Sequence, residues 1–421
     1  MGRNRSWYKL DNAAKMIPSS VAGADTKVFR IVCELREAVD PDCLQKALDE
    51  TAVEFPHFSC VMKRGLFWYY LEQSSIRPQA SADTLPALSP LYFDGRHTLL
   101  YRVTYFGCRV NLEVFHVLAD GTGALAFLNH LINSYLRRRY GITADGAASR
   151  IPDTDRTRDA FDHYYTRTAG GRQLKTMTAS RAYQIPGEKD PDLRNHLLEA
   201  VVPASLFLSI AHDHGTTAGV FMTALYIESI LKDMPLRESK PVVISVPVNL
   251  RTYFHSDTMR NFFGIITIPF YRNQYDGNLA SIVEVVRQAF EEQLSQESLR
   301  ANMNNYGSLE HNYAIKVVPL AIKDRTVRSY YTRAQKGVTS TVSNLGKISL
   351  PERLTPYIDH YAAFMTSPHP HMAVATFENK MVFGCVTSQL ANPAAASFLR
   401  RLVDLGIPVE LASNDCDLIE N

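Results

Sequence analysis

The sequence predicts a mixed α/β protein of two lobes, each a mixed sheet with packed helices, with a ligand channel between them. Three observations carry that expectation. Strand and helix patterns alternate through both halves. A polar, Arg/Asp/Thr/Gly-rich stretch from Gly141 to about Asn195, poor in periodic apolar residues, separates the halves. The chain's 421 residues also exceed one ordinary domain at ~150 residues each. The boundary is placed at 172/173: an N-terminal lobe over 1–172 with the connector at its end, and a C-terminal lobe over 173–421. Ligands of paired lobes usually bind between them.

The elements follow from local pattern. Lys27–Arg36 alternates apolar and polar as a half-buried strand does. Asp40 then reads as an N-cap with Pro41 at the first helical position, before the apolar face Leu44, Ala47, Leu48. Ser59–Glu72 is β-branched and aromatic, broken at Lys63-Arg64-Gly65, which predicts a hairpin. Two further strands, His97–Phe106 and Arg109–His116, meet at Gly107-Cys108. After Asp120-Gly121 the period becomes helical through Leu125, Leu128, Ile132 and Leu136, and Arg137–Arg139 suit the negative helix end. Beyond the connector come a strand at Leu197–Val202 and helices at Ser205–Ala211 and Ala218–Leu231. Pro241–Val248 is continuously apolar and β-branched, the mark of a strand inside a sheet. Phe262–Tyr271 is a strand, and Leu279, Ile282, Val286 and Phe290 mark an amphipathic helix. Strands follow at Val338–Val342, His360–Met365, Ala373–Phe377 and Met381–Val386, and Asn392-Pro393 opens a last helix.

Composition narrows the function classes. The chain is 46% hydrophobic and 21% charged, with net charge +2, so no global pull toward nucleic acid or anionic membrane is expected. Its six cysteines are scattered with no C-x-x-C pair, which fits a reducing cytoplasm better than a disulfide framework. The charged opening lacks the apolar core of a signal peptide, and no run reaches the ~20 apolar residues of a membrane span. The pairs His212/His214 and His369/His371 tempt a metal assignment. Their spacing and surroundings lack the usual ligand geometry, so no metal is expected.

The segment Asn111–Ala126, NLEVFHVLADGTGALA, places His116 at a strand end, Asp120-Gly121 in the turn and a helix directly after. A neutral imidazole there can take a proton from a hydroxyl or amine near pH 7. Asp120 is suited to pinning the turn through backbone N–H groups or an arginine, and Gly121 to a tight turn or close approach. A buried structural histidine beside an Asx-capped helix would read the same way.

The segment resembles the H-x-x-x-D-G motif of the chloramphenicol acetyltransferase-like and condensation-domain acyltransferase superfamily. The opening Lys9-Leu10-Asp11-Asn12-Ala13-Ala14-Lys15 is most similar to bacterial alcohol acetyltransferase-like proteins. Ser245–Arg251 with Asn261-Phe262-Phe263-Gly264, and Ser343-Asn344-Leu345-Gly346, resemble two later motifs of the superfamily. Two departures, Phe115 in place of the second histidine of condensation domains and no D-F-G-W-G element of plant acyltransferases, weaken the peptide-bond and plant-type readings and favour simple O-acyl transfer.

The resemblance implies that His116 is the general base and that Asp120 pairs with an arginine, assigned to Arg251. Ser343 or Asn344 would meet the oxyanion. A thioester co-substrate, acyl-CoA or acyl-phosphopantetheine, would deliver its acyl group to a small-molecule alcohol, with no permanently bound cofactor and with an acyl carrier protein as one bearer of the donor. The basic run Lys316, Lys323, Arg325, Arg328, Arg333 and Lys336 offers donor phosphate contacts, chiefly Lys323, Arg325 and Arg328; a solvated helix face is the alternative. An amide-forming condensation domain and a catalytically silent binding homologue stay open.

Overall fold

The computed structural model describes residues 6–142, 153–165, 181–310 and 317–414. The 172/173 boundary, Lys316 and Cys416 lie outside them. Two large sheets form the framework. One has five strands, ordered Ile358–Met365, Val28–Leu35, Arg109–Phe115, Tyr101–Phe106, Ala80–Ala82. The other has seven, ordered Phe263–Phe270, Val242–Asn249, Ser340–Ile348, His371–Phe377, Lys380–Thr387, His196–Pro203, Glu410–Ser413. Trp7–Lys9 joins the Cys60–Arg64/Tyr69–Gln73 hairpin in a small third sheet.

Local chemistry accounts for most of these elements. The Asp40 side chain accepts from Cys43 N and caps helix Pro41–Glu54, whose Leu44, Ala47, Leu48 and Thr51 are buried. Helix Gly121–Tyr140 starts at the Asp120 cap and ends where Gly141 takes a left-handed φ of 65°. Val242–Asn249 lies between two neighbouring strands, as its continuous apolar run requires. Strand Val28–Leu35 is buried on both faces rather than one. Its Arg30 is neutralised beneath the surface by Glu113 and Asp83, both at 2.7 Å, so the polar position need not face water.

Three departures matter for the site. The predicted strand Val338–Val342 runs on to Ile348, with a register shift between Asn344 and Lys347 against its parallel neighbour. Strand Ile358–Met365 leaves the second half's sheet and pairs antiparallel with Val28–Leu35 of the first. From Lys323 to Arg333 the basic run lies in helix Leu320–Gln335, which is strapped to the first half by Asp324 accepting from Ser19 Oγ (2.6 Å) and Tyr69 Oη (3.1 Å). Each half thus reaches into the other, and their seam passes the end of strand Arg109–Phe115.

Candidate active site

Phe115 ends its strand, and the His116 N–H donates to Lys27 O at 2.9 Å. Val117, Leu118 and Ala119 are buried in the turn, which holds the loop by packing on both sides of the histidine. The half-buried His116 ring lies between Phe29 of the first half (centroids 5.0 Å apart) and Phe263 of the second (5.5 Å). The imidazole therefore sits in the seam.

Its Nδ1 is 2.9 Å from Asn261 Oδ1. The Asn261 amide nitrogen donates to His116 O (3.0 Å) and to Asp11 Oδ2 (3.2 Å). Both partners are acceptors, so the amide has one orientation, with its oxygen toward the ring. An acceptor opposite Nδ1 puts the ring proton there and leaves Nε2 with a free lone pair. Asp11 is wholly buried and also accepts from Ala14 N at 2.8 Å, which fixes the far end of this chain of bonds. Burial lowers the His116 pKa below 6.5; Asp120, a bond to the residue's own backbone and Asn261 oppose the shift without cancelling it. The ring is neutral at pH 7.

Asp120 does not face the ring nitrogen. Its Oδ1 accepts from Gly123 N (3.1 Å), and its Oδ2 accepts from Phe262 N (2.9 Å) and Arg251 Nη1 (2.7 Å). Arg251 also donates to Thr258 O (2.9 Å) and Arg260 O (2.6 Å). One buried ion pair thus ties the helix start to the 258–262 segment that carries Asn261. Close approach is needed at Gly123 rather than Gly121. A Cβ on Gly123 would lie 1.9 Å from Met259 O, whereas one on Gly121 would meet only Leu345 Cγ at 3.8 Å. Gly121 has no positive φ and is simply the first helical residue.

The remaining sequence-predicted residues divide. Ser343 is half-buried and bonds His371 Nε2 at 2.9 Å. Asn344 is exposed, and its Oδ1 accepts from Gly346 N at 2.7 Å, so its side-chain oxygen caps its own turn. Lys323 is not free for a phosphate. It is buried, donates to Phe67 O at 3.0 Å and stands 3.5 Å above the Trp68 ring, because the apolar hairpin tip covers it. Arg328 faces Ser19 O at 3.4 Å, and Arg325 alone of the three is exposed without a described partner. Among the described residues no group of three or more His, Cys, Asp or Glu side chains is arranged to hold a metal ion. Asn261, Asp11 and His371 received no role from sequence. Asn261 and Asp11 lie within the N-F-F-G and L-D-N-A-A runs, but nothing local in those runs says that their side chains meet His116.

No protein-family model matches the sequence, and no curated protein matches it. Solved structures do match in three dimensions. The first condensation domain of the calcium-dependent antibiotic synthetase superposes with TM-score 0.64 at 14% identity, covering 95% of each chain. This chain therefore shares its fold with that condensation domain. Polyketide synthase associated protein 5 from Mycobacterium tuberculosis matches at TM-score 0.62 and 13% identity over 94% of this chain and 96% of its own. Trichothecene 15-O-acetyltransferase from Fusarium sporotrichioides matches at 0.61 and 10%, with 96% of both chains covered.

Proposed function

We propose that the chain is an acyltransferase that moves an acyl group from a thioester to the hydroxyl of a small-molecule alcohol, with His116 as general base. The observation that carries this reading is the Asn261 bond to Nδ1, which leaves a neutral Nε2 lone pair on a ring lying between the two halves. In this reading Nε2 takes the hydroxyl proton as the oxygen attacks the thioester carbonyl. A hydrogen-bond donor, Ser343, meets the tetrahedral oxyanion, and the imidazolium returns the proton to the departing thiol. No acyl-enzyme is required. Asp120 stays out of the chemistry, since both its oxygens are spent on the loop and Arg251.

The donor is acyl-CoA or an acyl-phosphopantetheine on an acyl carrier protein, which share the same pantetheine thioester. Arg325 remains as a phosphate contact for either. The shared fold of an O-acetyltransferase and of condensation domains supports acyl transfer in general. Phe115 is buried and stacks on Tyr92 with centroids 6.0 Å apart, so no second imidazole precedes His116, which favours the hydroxyl over the amine as acceptor.

Thiol release from acetyl- and longer acyl-thioesters against an alcohol and amine panel tests the reading. His116→Ala should lower kcat by ~10²–10⁴-fold. Equal wild-type and mutant rates, or transfer to amines alone, would refute it.

A further inference from the structure

His371 is the buried titratable group beside this site that the mechanism above leaves unused. It opens strand His371–Phe377 in the middle of the seven-stranded sheet and is 2% exposed. Its Nε2 lies 2.9 Å from Ser343 Oγ, the one hydrogen-bond partner found for either side chain among the described residues. Its Nδ1 is buried and has no partner among the described residues. Burial, with His116 and Lys27 close enough to add to the effect, pushes its pKa down to about 3. The ring is therefore neutral across the working pH range, and it is too weak a base to activate Ser343 as a nucleophile.

Two neutral tautomers are available. With the proton on Nδ1, a buried N–H has no acceptor among the described residues and loses its hydration uncompensated, and the Ser343 hydroxyl turns its own proton back onto Nε2. With the proton on Nε2, the ring donates to Ser343 Oγ and the unmet group is a bare Nδ1 lone pair. Buried structures tolerate an under-satisfied acceptor more readily than an orphaned N–H.

We propose that His371 donates through Nε2–H to Ser343 Oγ, freeing the Ser343 hydroxyl proton to meet the oxyanion, so that His371 is a positioning residue of the acyl-transfer site. The inference rests on the acyl-transfer reading and deepens it. Ser343 is half-buried where His371 is fully enclosed, so a hydroxyl held from behind by the ring has its free proton on the open side. Strand Ser340–Ile348, which carries Ser343, passes the end of the His116 loop, where Leu345 Cγ would lie 3.8 Å from a Cβ on Gly121. No bond is made or broken at His371; it only decides which way one hydroxyl points.

Two measurements test this. In a ¹⁵N-histidine spectrum of the intact protein, the signal lost in His371→Gln should show a protonated Nε2 and a bare Nδ1; the opposite tautomer overturns the proposal. In rate assays Ser343→Ala and His371→Leu should each lower kcat by ~10²-fold or more, with KM little changed. The double variant should be no slower than Ser343→Ala, and His371→Gln, which keeps a donor, should recover most of the rate. Losses that multiply in the double variant, or a His371→Leu loss with Ser343→Ala unaffected, refute it. A wild-type protein that releases no thiol with any acceptor refutes the acyl-transfer reading, while the tautomer still decides whether His371 donates to Ser343.

Discussion

Replacing Arg251 by alanine removes the cation from a carboxylate that is 7% exposed and takes the donors from Thr258 O and Arg260 O. Asp120 keeps Gly123 N and Phe262 N, so its charge is still bonded but no longer balanced. Breaking one side of a buried pair costs ~3–5 kcal/mol. With unfolding entropy near ~2.1 cal/mol/K per residue, 421 residues turn that into a Tm lowered by ~3–6 °C if the chain melts as one unit. Arg251→Lys, with a single ammonium for a forked guanidinium, should recover part of it. Asp120→Asn alone and with Arg251→Ala completes a cycle in which the double loss is smaller than the sum. Because the same arginine holds the segment that carries Asn261, kcat should fall ~10²-fold through misplacement of His116 by about an ångström. Arg251→Ala melting within ~1 °C of wild type, with unchanged kcat, would show that the pair neither stabilises the loop nor positions the base.

Asn261→Leu should lower kcat and also move the acid limb of the kcat/KM pH profile. His116 already titrates below 6.5 because of burial, and Asn261 is one of the groups that oppose that shift, so the limb should move further toward acid; a move toward alkali would contradict the bonding scheme. Gly123→Ala, whose Cβ would meet Met259 O at 1.9 Å, should lose ~2 kcal/mol or more, while Gly121→Ala should be neutral or slightly stabilising; paired thermal melts decide. Burial works to lower His360, but hydrogen bonds to Glu199 (2.9 Å) and Asp359 (2.8 Å) outweigh it and raise its pKa above 6.5. The stability it contributes is present in full below the unfolded value of ~6.5 and is lost as pH rises through the higher folded value. His360→Gln should therefore destabilise most near pH ~6 and progressively less toward pH ~9; a penalty growing with pH would reverse the argument.

Signals confined to a few neighbouring residues were readable in the chain alone. Asp40 with Pro41 and Asn392 with Pro393 mark helix starts because caps act on N–H groups within one turn. The period change after Asp120 places His116 between a strand and a helix for the same reason. Helix Leu320–Gln335 shows where such reasoning stops. Its basic residues read as a solvated or phosphate-binding face, yet Lys323 is spent on Phe67 and Trp68, 255 or more positions away in sequence.

The linear pattern therefore carried the mixed α/β class, most element positions and the imidazole at a strand end, since periodicity and capping are short-range properties of the backbone. Only folding in space brought Asn261 to His116 across 145 residues, Arg251 to Asp120 across 131 and Asp11 to Asn261 across 250. It also carried strand Ile358–Met365 into the opposite sheet. Those partnerships depend on which surfaces can be buried together, a condition set by shape and charge balance over the whole molecule and written in no single stretch of residues.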